Sequence, residues 1–113
     1  MTGRHAELHA RSLKDPNGFW AEVAEGIAWT RKWDRVLDDS RPPSYRWFAG
    51  GELNTCYNAL DRHLEARGGQ PALIYDSPVT GTVRSYTYRE LTDQVARFAG
   101  VLAGLGVGKG DRV

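Results

Sequence analysis

The sequence contains a single cysteine, Cys56, which excludes an intrachain disulfide. It also lacks a surplus of either charge, because 15 lysines and arginines are balanced by 14 acidic residues. A nucleic-acid-binding arm needs excess positive charge, and a membrane span needs about 20 apolar residues in a row. The longest apolar run, Phe98 to Gly108, is much shorter, and no signal-peptide core opens the chain. These absences predict a cytoplasmic protein that binds neither nucleic acid nor membrane.

What the chain does contain is typical of a folded protein. It has 113 residues, enough for at most one domain, and 41% of them are hydrophobic and 11% aromatic, too many for a disordered tail. All four tryptophans lie in the first 47 residues. This change in composition predicts two segments that join near His63 to Gly69.

The first segment predicts two helices and then an irregular stretch. A short helix is expected over Arg4 to Leu13. Asp15 can cap a second helix that begins at Pro16 and ends near Trp29, since proline is tolerated where no backbone donor is needed. We expect no regular structure over residues 30–52, with its aromatic side chains packed onto another surface. The residues that interrupt this stretch are Arg41-Pro42-Pro43-Ser44 and Gly50-Gly51.

The second segment has clearer periodicity. Asn54 can cap a helix that runs to about Arg67, and its apolar stripe consists of Leu53, Tyr57, Leu60 and Leu64. A β-hairpin follows, with strands expected over Ala72 to Asp76 and Val83 to Tyr88. Thr87 and Glu90 fit a capping box, which predicts a helix that ends at Gly106.

The last residues, 108–113, predict a turn that leads into a strand at Val113. A hairpin, a helix and the first residue of a strand make an incomplete α/β unit, because such a helix covers a sheet. The fold class is therefore α/β, which within these residues amounts to α+β. We expect the chain to be a fragment of a longer protein.

Three groups of residues could suggest chemistry, but each has a simpler explanation. The run Gly104 to Gly110 lacks the P-loop spacing and follows a helix instead of opening one, so a helix stop is favoured. His5 and His9 lack the order of a metalloprotease site and are too few to hold a metal. Cys56 and His63 are separated by a rise of about 10 Å on a helix, so we expect no catalytic pair and interpret Cys56 as a small buried hydrophobic residue.

Two further groups are interpreted as structural. Trp29 and Trp33 could stack on a ligand, but packing onto a core is favoured. The sequence Thr80-Gly81-Thr82 could bind an anion, but a turn explains it. The residues alone therefore predict an α/β fragment with an aromatic-rich N-terminal leader and no catalytic constellation.

Longer motifs resemble those of short-chain acyl-CoA synthetases. The most specific is the block from Trp47 to His63, WFAGGELNTCYNALDRH, and a second runs from Asp15 to Trp20, DPNGFW. The segment from Ala72 to Thr82, ALIYDSPVTGT, is closer to the propionyl-CoA synthetase branch than to acetyl-CoA synthetase. Tyr86-Thr87-Tyr88-Arg89-Glu90-Leu91 and the run from Gly106 to Val113 resemble the approach to a buried strand in adenylate-forming enzymes.

The resemblance implies a fold and a reaction. Residues 4–62 would form the acetyl-CoA-synthetase-like N-terminal region, with a helical, aromatic-rich leader. Residues 63–113 would begin a truncated AMP-dependent synthetase domain. In the family, a short carboxylic acid attacks ATP with the help of Mg²⁺ to form an acyl-adenylate and pyrophosphate, and coenzyme A then displaces AMP.

The family's phosphate loop, acyl pocket and coenzyme A contacts lie downstream of this chain. The resemblance therefore assigns no catalytic, cofactor-binding or metal residue to it, and its expected role is to support the rest of its own large domain. Acetate activation is an alternative to propionate activation. A small interaction module that binds a partner through its aromatic leader is an alternative from another class.

We predict that the 113-residue chain by itself is weakly folded, because the hairpin and the following helix lack the sheet on which they would pack. Urea unfolding followed by circular dichroism should show a broad transition. A steep, cooperative transition with a clear native baseline would contradict this prediction.

Overall fold

A computed structural model describes residues 3–113, and its backbone divides into two compact units between Thr55 and Cys56. The first unit contains α1 (Arg4–Lys14), α2 (Pro16–Ala24), β1 (Trp29–Arg31), β2 (Arg35–Asp38), β3 (Arg46–Ala49) and β4 (Glu52–Leu53). After α3 (Thr55–Ala59), the second unit contains a 3₁₀ helix (Asp61–His63), α4 (Leu64–Arg67), β5 (Pro71–Ser77), β6 (Thr82–Thr87) and α5 (Tyr88–Gly104). The expected mixture of helices and strands is confirmed.

The first two helices begin where the sequence predicts. The side chain of Asp15 accepts a hydrogen bond of 2.9 Å from the Gly18 backbone N–H, and Pro16 is the first residue of α2. This cap satisfies one of the donors that the first turn of a helix leaves free. An ion pair between the exposed side chains of Arg11 and Glu22 joins α1 to α2.

The predicted end of α2 near Trp29 was wrong. The helix ends at Ala24, whose carbonyl oxygen accepts a hydrogen bond of 2.9 Å from the Trp29 indole N–H and another of 3.1 Å from the Ile27 backbone N–H. These bonds satisfy an acceptor that the end of a helix leaves free. Trp29 is then available to begin β1.

The irregular stretch predicted for residues 30–52 was also wrong, since it contains strands. β1 pairs antiparallel with β4, opposing Trp29 to Leu53, and β2 pairs antiparallel with β3, opposing Leu37 to Trp47. The proline pair lies in the β2–β3 connection and the glycine pair in the β3–β4 turn, so neither interrupts a strand. Val36 of β2 is buried.

The single helix predicted for residues 54–67 is broken into three short pieces. Leu60 has φ −124° and ψ −67°, which interrupts the helix between α3 and the 3₁₀ turn. The side chain of Leu60 is buried, whereas Leu53 lies in β4 and not on a helical stripe. The helix thus breaks at a residue whose side chain is buried.

The hairpin and α5 are confirmed to within one or two residues. β5 and β6 pair antiparallel from Ser77 and Thr82 back to Pro71 and Thr87. α5 ends at Gly104, and Gly106 follows in the left-handed conformation, with φ +83°. The Val107 N–H donates a hydrogen bond of 3.0 Å back to the Leu102 carbonyl oxygen.

The strand expected at Val113 is not formed. Residues 111–113 belong to no strand, because no other strand in the described part of the chain pairs with them. No helix within residues 3–113 is long and apolar enough to cross a membrane.

The junction between β6 and α5 depends on a capping box. The Thr87 hydroxyl accepts a hydrogen bond of 3.2 Å from the Glu90 N–H, and the Glu90 carboxylate accepts one of 2.9 Å from the Thr87 N–H. The Thr87 backbone N–H and side chain hold the pKa of Glu90 below its usual value. The ionised Glu90 carboxylate therefore stabilises α5 at pH values above the pKa that Glu90 has in the unfolded chain. This stabilisation is lost as the pH falls through the lowered pKa of the folded chain.

We predict that Thr87→Ala destabilises the first turn of α5 by about 1 kcal/mol, because an N-cap acceptor is lost. Amide hydrogen exchange in that turn should accelerate about 5-fold. The matched control is Thr92→Ala in the same helix, since the Thr92 hydroxyl donates to the Tyr88 carbonyl oxygen within the helix and does not cap its first turn. Equal exchange in both variants would contradict the assignment of Thr87 as the cap.

Candidate functional site

Three aromatic rings form a packed cluster in the first unit. The ring centroids of Trp29, Trp33 and Phe48 lie 5.0 to 5.4 Å apart. All three residues are half-buried, and they come from β1, the following loop and β3. Trp29 and Trp33 pack as the packing interpretation expects, since each ring is in contact with the other two.

The backbone around this cluster is unusual. Phe48 has φ +51°, a left-handed conformation that is uncommon for residues other than glycine. A Cβ atom on Gly51 would lie 2.7 Å from the Trp29 ring and 3.0 Å from the Phe48 carbonyl oxygen. The rings and the β3–β4 turn therefore fit together only when residue 51 has no side chain.

The histidine and cysteine candidates are not brought together as a site. The rings of His5 and His9 stack with centroids 6.2 Å apart. His63 packs against Tyr88, with centroids 5.4 Å apart, whereas the Cys56 sulfur lies 3.8 Å from Asp61 Oδ2. The expectation that Cys56 is buried was wrong, since it is exposed.

The glycine-rich run forms a helix stop and a turn, as expected. Within the run, Asp111 Oδ2 accepts a hydrogen bond of 2.7 Å from the Gly108 N–H. The Asp111 carboxylate thus accepts from a backbone N–H group of the kind that a phosphate-binding loop would use to bind its ligand. Thr80-Gly81-Thr82 also forms a turn, with Gly81 at φ +62°.

A small polar cavity lies where β2 and β3 diverge. Its volume is about 160 Å³, and its lining consists of Asp38, Ser40, Arg41, Ser44 and Arg46. The register places Asp38 opposite Arg46 across the two strands. The Ser44 N–H donates a hydrogen bond of 2.8 Å to the Arg41 carbonyl oxygen, which forms a turn in the connection.

The acidic residue that lines this cavity has charged and polar partners, whereas its two arginines form no ion pair in the described part of the chain. The hydroxyl and backbone N–H of Ser40 hold the pKa of Asp38 below its usual value, and Arg35 lies 3.3 Å from the same carboxylate. Arg41 and Arg46 form no ion pair with any carboxylate of residues 3–113. The cavity lining therefore includes two exposed arginines that form no ion pair within residues 3–113.

Sequence reasoning missed this cavity. It treated Arg41-Pro42-Pro43-Ser44 only as a break in regular structure, although arginines and serines on both sides of a turn are the available signal. The cavity depends on the pairing of β2 with β3, which the sequence did not predict.

Two family models match adjacent parts of the chain. The family described as "Acetyl-coenzyme A synthetase N-terminus" matches residues 5–59, and the family described as "AMP-binding enzyme" matches residues 60–113. Together the two matches take in nearly all of the sequence.

Curated relatives give the same result. The chain is 50% identical to the human protein "Acyl-CoA synthetase short-chain family member 3, mitochondrial" over 114 aligned positions, which cover 99% of this chain and 17% of that protein. It is 53% identical to the acetyl-coenzyme A synthetase of Thiobacillus denitrificans, over 94% of this chain and 16% of the relative. The chain thus spans about a sixth of the length of these relatives.

A solved structure is similar as well. The acetoacetyl-CoA synthetase from Streptomyces lividans superposes with a TM-score of 0.83 at 38% sequence identity. The match covers 98% of this chain and 17% of that one.

We predict that Gly51→Ala destabilises the first unit by about 1–3 kcal/mol, because the added methyl group overlaps the Trp29 ring. The midpoint of the urea-induced change in tryptophan emission should move to lower urea. All four tryptophans lie in this unit, so the signal reports it alone.

Gly26→Ala is the matched control in the same unit, since its new Cβ would make an ordinary contact of 3.5 Å with the Val23 carbonyl oxygen. If the two variants had the same midpoint, the close approach at Gly51 would not limit stability.

Proposed function

We propose that this chain, which belongs to the short-chain acyl-CoA synthetase family, is the N-terminal part of an AMP-forming ligase. That ligase would join a short-chain carboxylate to coenzyme A. The observation that carries the proposal is the pair of family matches, which meet at residues 59 and 60. The relatives are named for different acyl groups, but each name specifies a coenzyme A product or an acyl-CoA synthetase.

Propionate is the proposed substrate. Its support is the segment from Ala72 to Thr82, which resembles the propionyl-CoA synthetase branch. Acetate is the second candidate, and the 53% identity with an acetyl-coenzyme A synthetase favours it. The residues that would contact the acyl group lie, on this proposal, outside residues 1–113.

ATP, Mg²⁺ and coenzyme A would also bind outside this chain. Among residues 3–113, no group of three or more histidine, cysteine, aspartate or glutamate side chains is placed to hold a metal ion. Residues 4–62 would serve as the N-terminal region and residues 63–113 as the start of the AMP-dependent synthetase domain. We also propose a cytoplasmic location, although the human relative is described as mitochondrial.

The proposed partner of the second unit is the remainder of its own large domain. Large apolar side chains on α5, on the residue that caps its C-terminus and on the hairpin are open to solvent, with Phe98 62% exposed, Leu105 76% and Ile74 69%. The chain exposes 9247 Å² in total, whereas two separate compact units of half its mass would together expose about 7500 Å². This excess supports a role in which further protein covers the apolar surface.

An interaction module with an aromatic leader is the alternative from another class. Its support is weaker, because Trp29 and Trp33 already pack against Phe48. Trp20 and Trp47, which are partly exposed, also contact each other, with ring centroids 6.1 Å apart.

We predict that the reading frame continues past codon 113 and that its full product catalyses propionate-dependent exchange of pyrophosphate into ATP. Residues 1–113 alone should catalyse none, since the proposed ligand-binding residues lie elsewhere. The full product should prefer propionate to acetate in kcat/KM by at least about 10-fold, because a pocket that fits one more methylene gains about that much.

Parallel assays with propionate and acetate separate the two substrates. A preference for acetate would overturn the propionate assignment and leave the ligase proposal in place. A stop codon directly after Val113, or exchange catalysed by residues 1–113 alone, would overturn the proposal that this is an N-terminal part without catalytic residues.

A further inference from the structure

We propose that the cavity between β2 and β3 binds a phosphate group, carried either by inorganic phosphate or by a phosphate monoester. The site consists of Arg41, Ser44 and Arg46, which line the cavity together with Asp38 and Ser40. The proposal rests only on residues 35–46 and is independent of the ligase function.

The charge of the cavity favours an anion. Asp38 is the single acidic residue in its lining, and this carboxylate is already engaged by Ser40 and by Arg35. Arg41 and Arg46 have no carboxylate partner among residues 3–113. Two guanidinium groups, each with a planar set of donors, thus remain available for one anion.

The number of donors favours phosphate over a carboxylate. Each guanidinium can donate two parallel hydrogen bonds to neighbouring oxygens, and the Ser44 hydroxyl supplies a further donor. The Ser40 hydroxyl is not counted, because it already bonds to Asp38. A carboxylate has two oxygens in one plane, whereas a phosphate group presents at least three oxygens in different directions.

The size of the cavity limits the ligand. Its volume of about 160 Å³ is well below the roughly 300 Å³ at which pockets for drug-sized ligands begin. A phosphate group would therefore enter while any attached organic part stayed outside. The strand pairing of Asp38 with Arg46 and the Arg41–Ser44 turn hold the backbone of the site in place.

The proposal can be tested by NMR titration of the ¹⁵N-labelled chain at constant ionic strength, under conditions in which dispersed tryptophan indole signals show that the first unit, which holds the cavity, is folded. The probes are inorganic phosphate, methyl phosphate and, as a carboxylate, acetate. Both phosphates should produce saturable shifts confined to residues 38–47, with a Kd on the order of 1 mM. Acetate should bind at least about 10-fold more weakly. Binding of methyl phosphate alone would identify a monoester as the ligand.

Two pairs of variants separate the site from general charge effects. Arg46→Ala should weaken phosphate binding about 10-fold, whereas Arg4→Ala, which removes an exposed arginine from α1, should leave it unchanged. Asp38→Asn should tighten binding several-fold, and Asp39→Asn, with the same change in net charge, should not. The tryptophan indole signals report the fold of each variant.

Shifts that do not saturate would overturn the proposal, and so would equal effects of Arg46→Ala and Arg4→Ala. Acetate binding as tight as phosphate binding would overturn the assignment of the ligand.

Discussion

Contact among Trp29, Trp33 and Phe48 is the interaction on which the first unit depends. Among residues 3–55, the buried hydrophobic side chains are those of Ala24 and Val36, so aliphatic residues supply little of the core in this unit. The three rings connect β1, its following loop and β3, and they set the position of Gly51 in the next turn. Aromatic side chains suit this role because each one covers a large area with few rotatable bonds. The left-handed backbone of Phe48 is the cost of bringing its ring into the group.

The features that the sequence predicted correctly are those controlled by neighbouring residues. The cap at Asp15, the capping box at Thr87 and the stop at Gly106 each involve groups within a few positions of one another. Strands β1 to β4 were missed because each is two to four residues long and is defined by a partner elsewhere in the chain. The break at Leu60 was missed for a related reason, since it falls at a residue that is buried in the folded chain. The cavity at Arg41 and Arg46 depends on those same missed strands.

Function and fold were predicted by different means. Residue types and spacing correctly predicted the helix stop at Gly106 and the packing of Trp29 and Trp33, but they gave no positive indication of an activity. Resemblance in the block from Trp47 to His63 predicted the family, which the comparisons confirm. Neither approach found the phosphate cavity, because its residues are separated by a turn and resemble an ordinary polar loop in the sequence.

The join between β6 and α5 has a mechanical consequence. Thr87 is both the last residue of the strand and the cap of the helix, so no flexible linker separates the two elements. The direction of the helix axis is therefore fixed by the backbone angles at a single residue, with φ −71° and ψ 163°. Additional bonds brace the joint, because the Tyr88 and Arg89 N–H groups donate to the carbonyls of Gln70 and Gly68. A displacement of the far end of α5 would consequently also rotate the hairpin, and the two elements would move together as one rigid body.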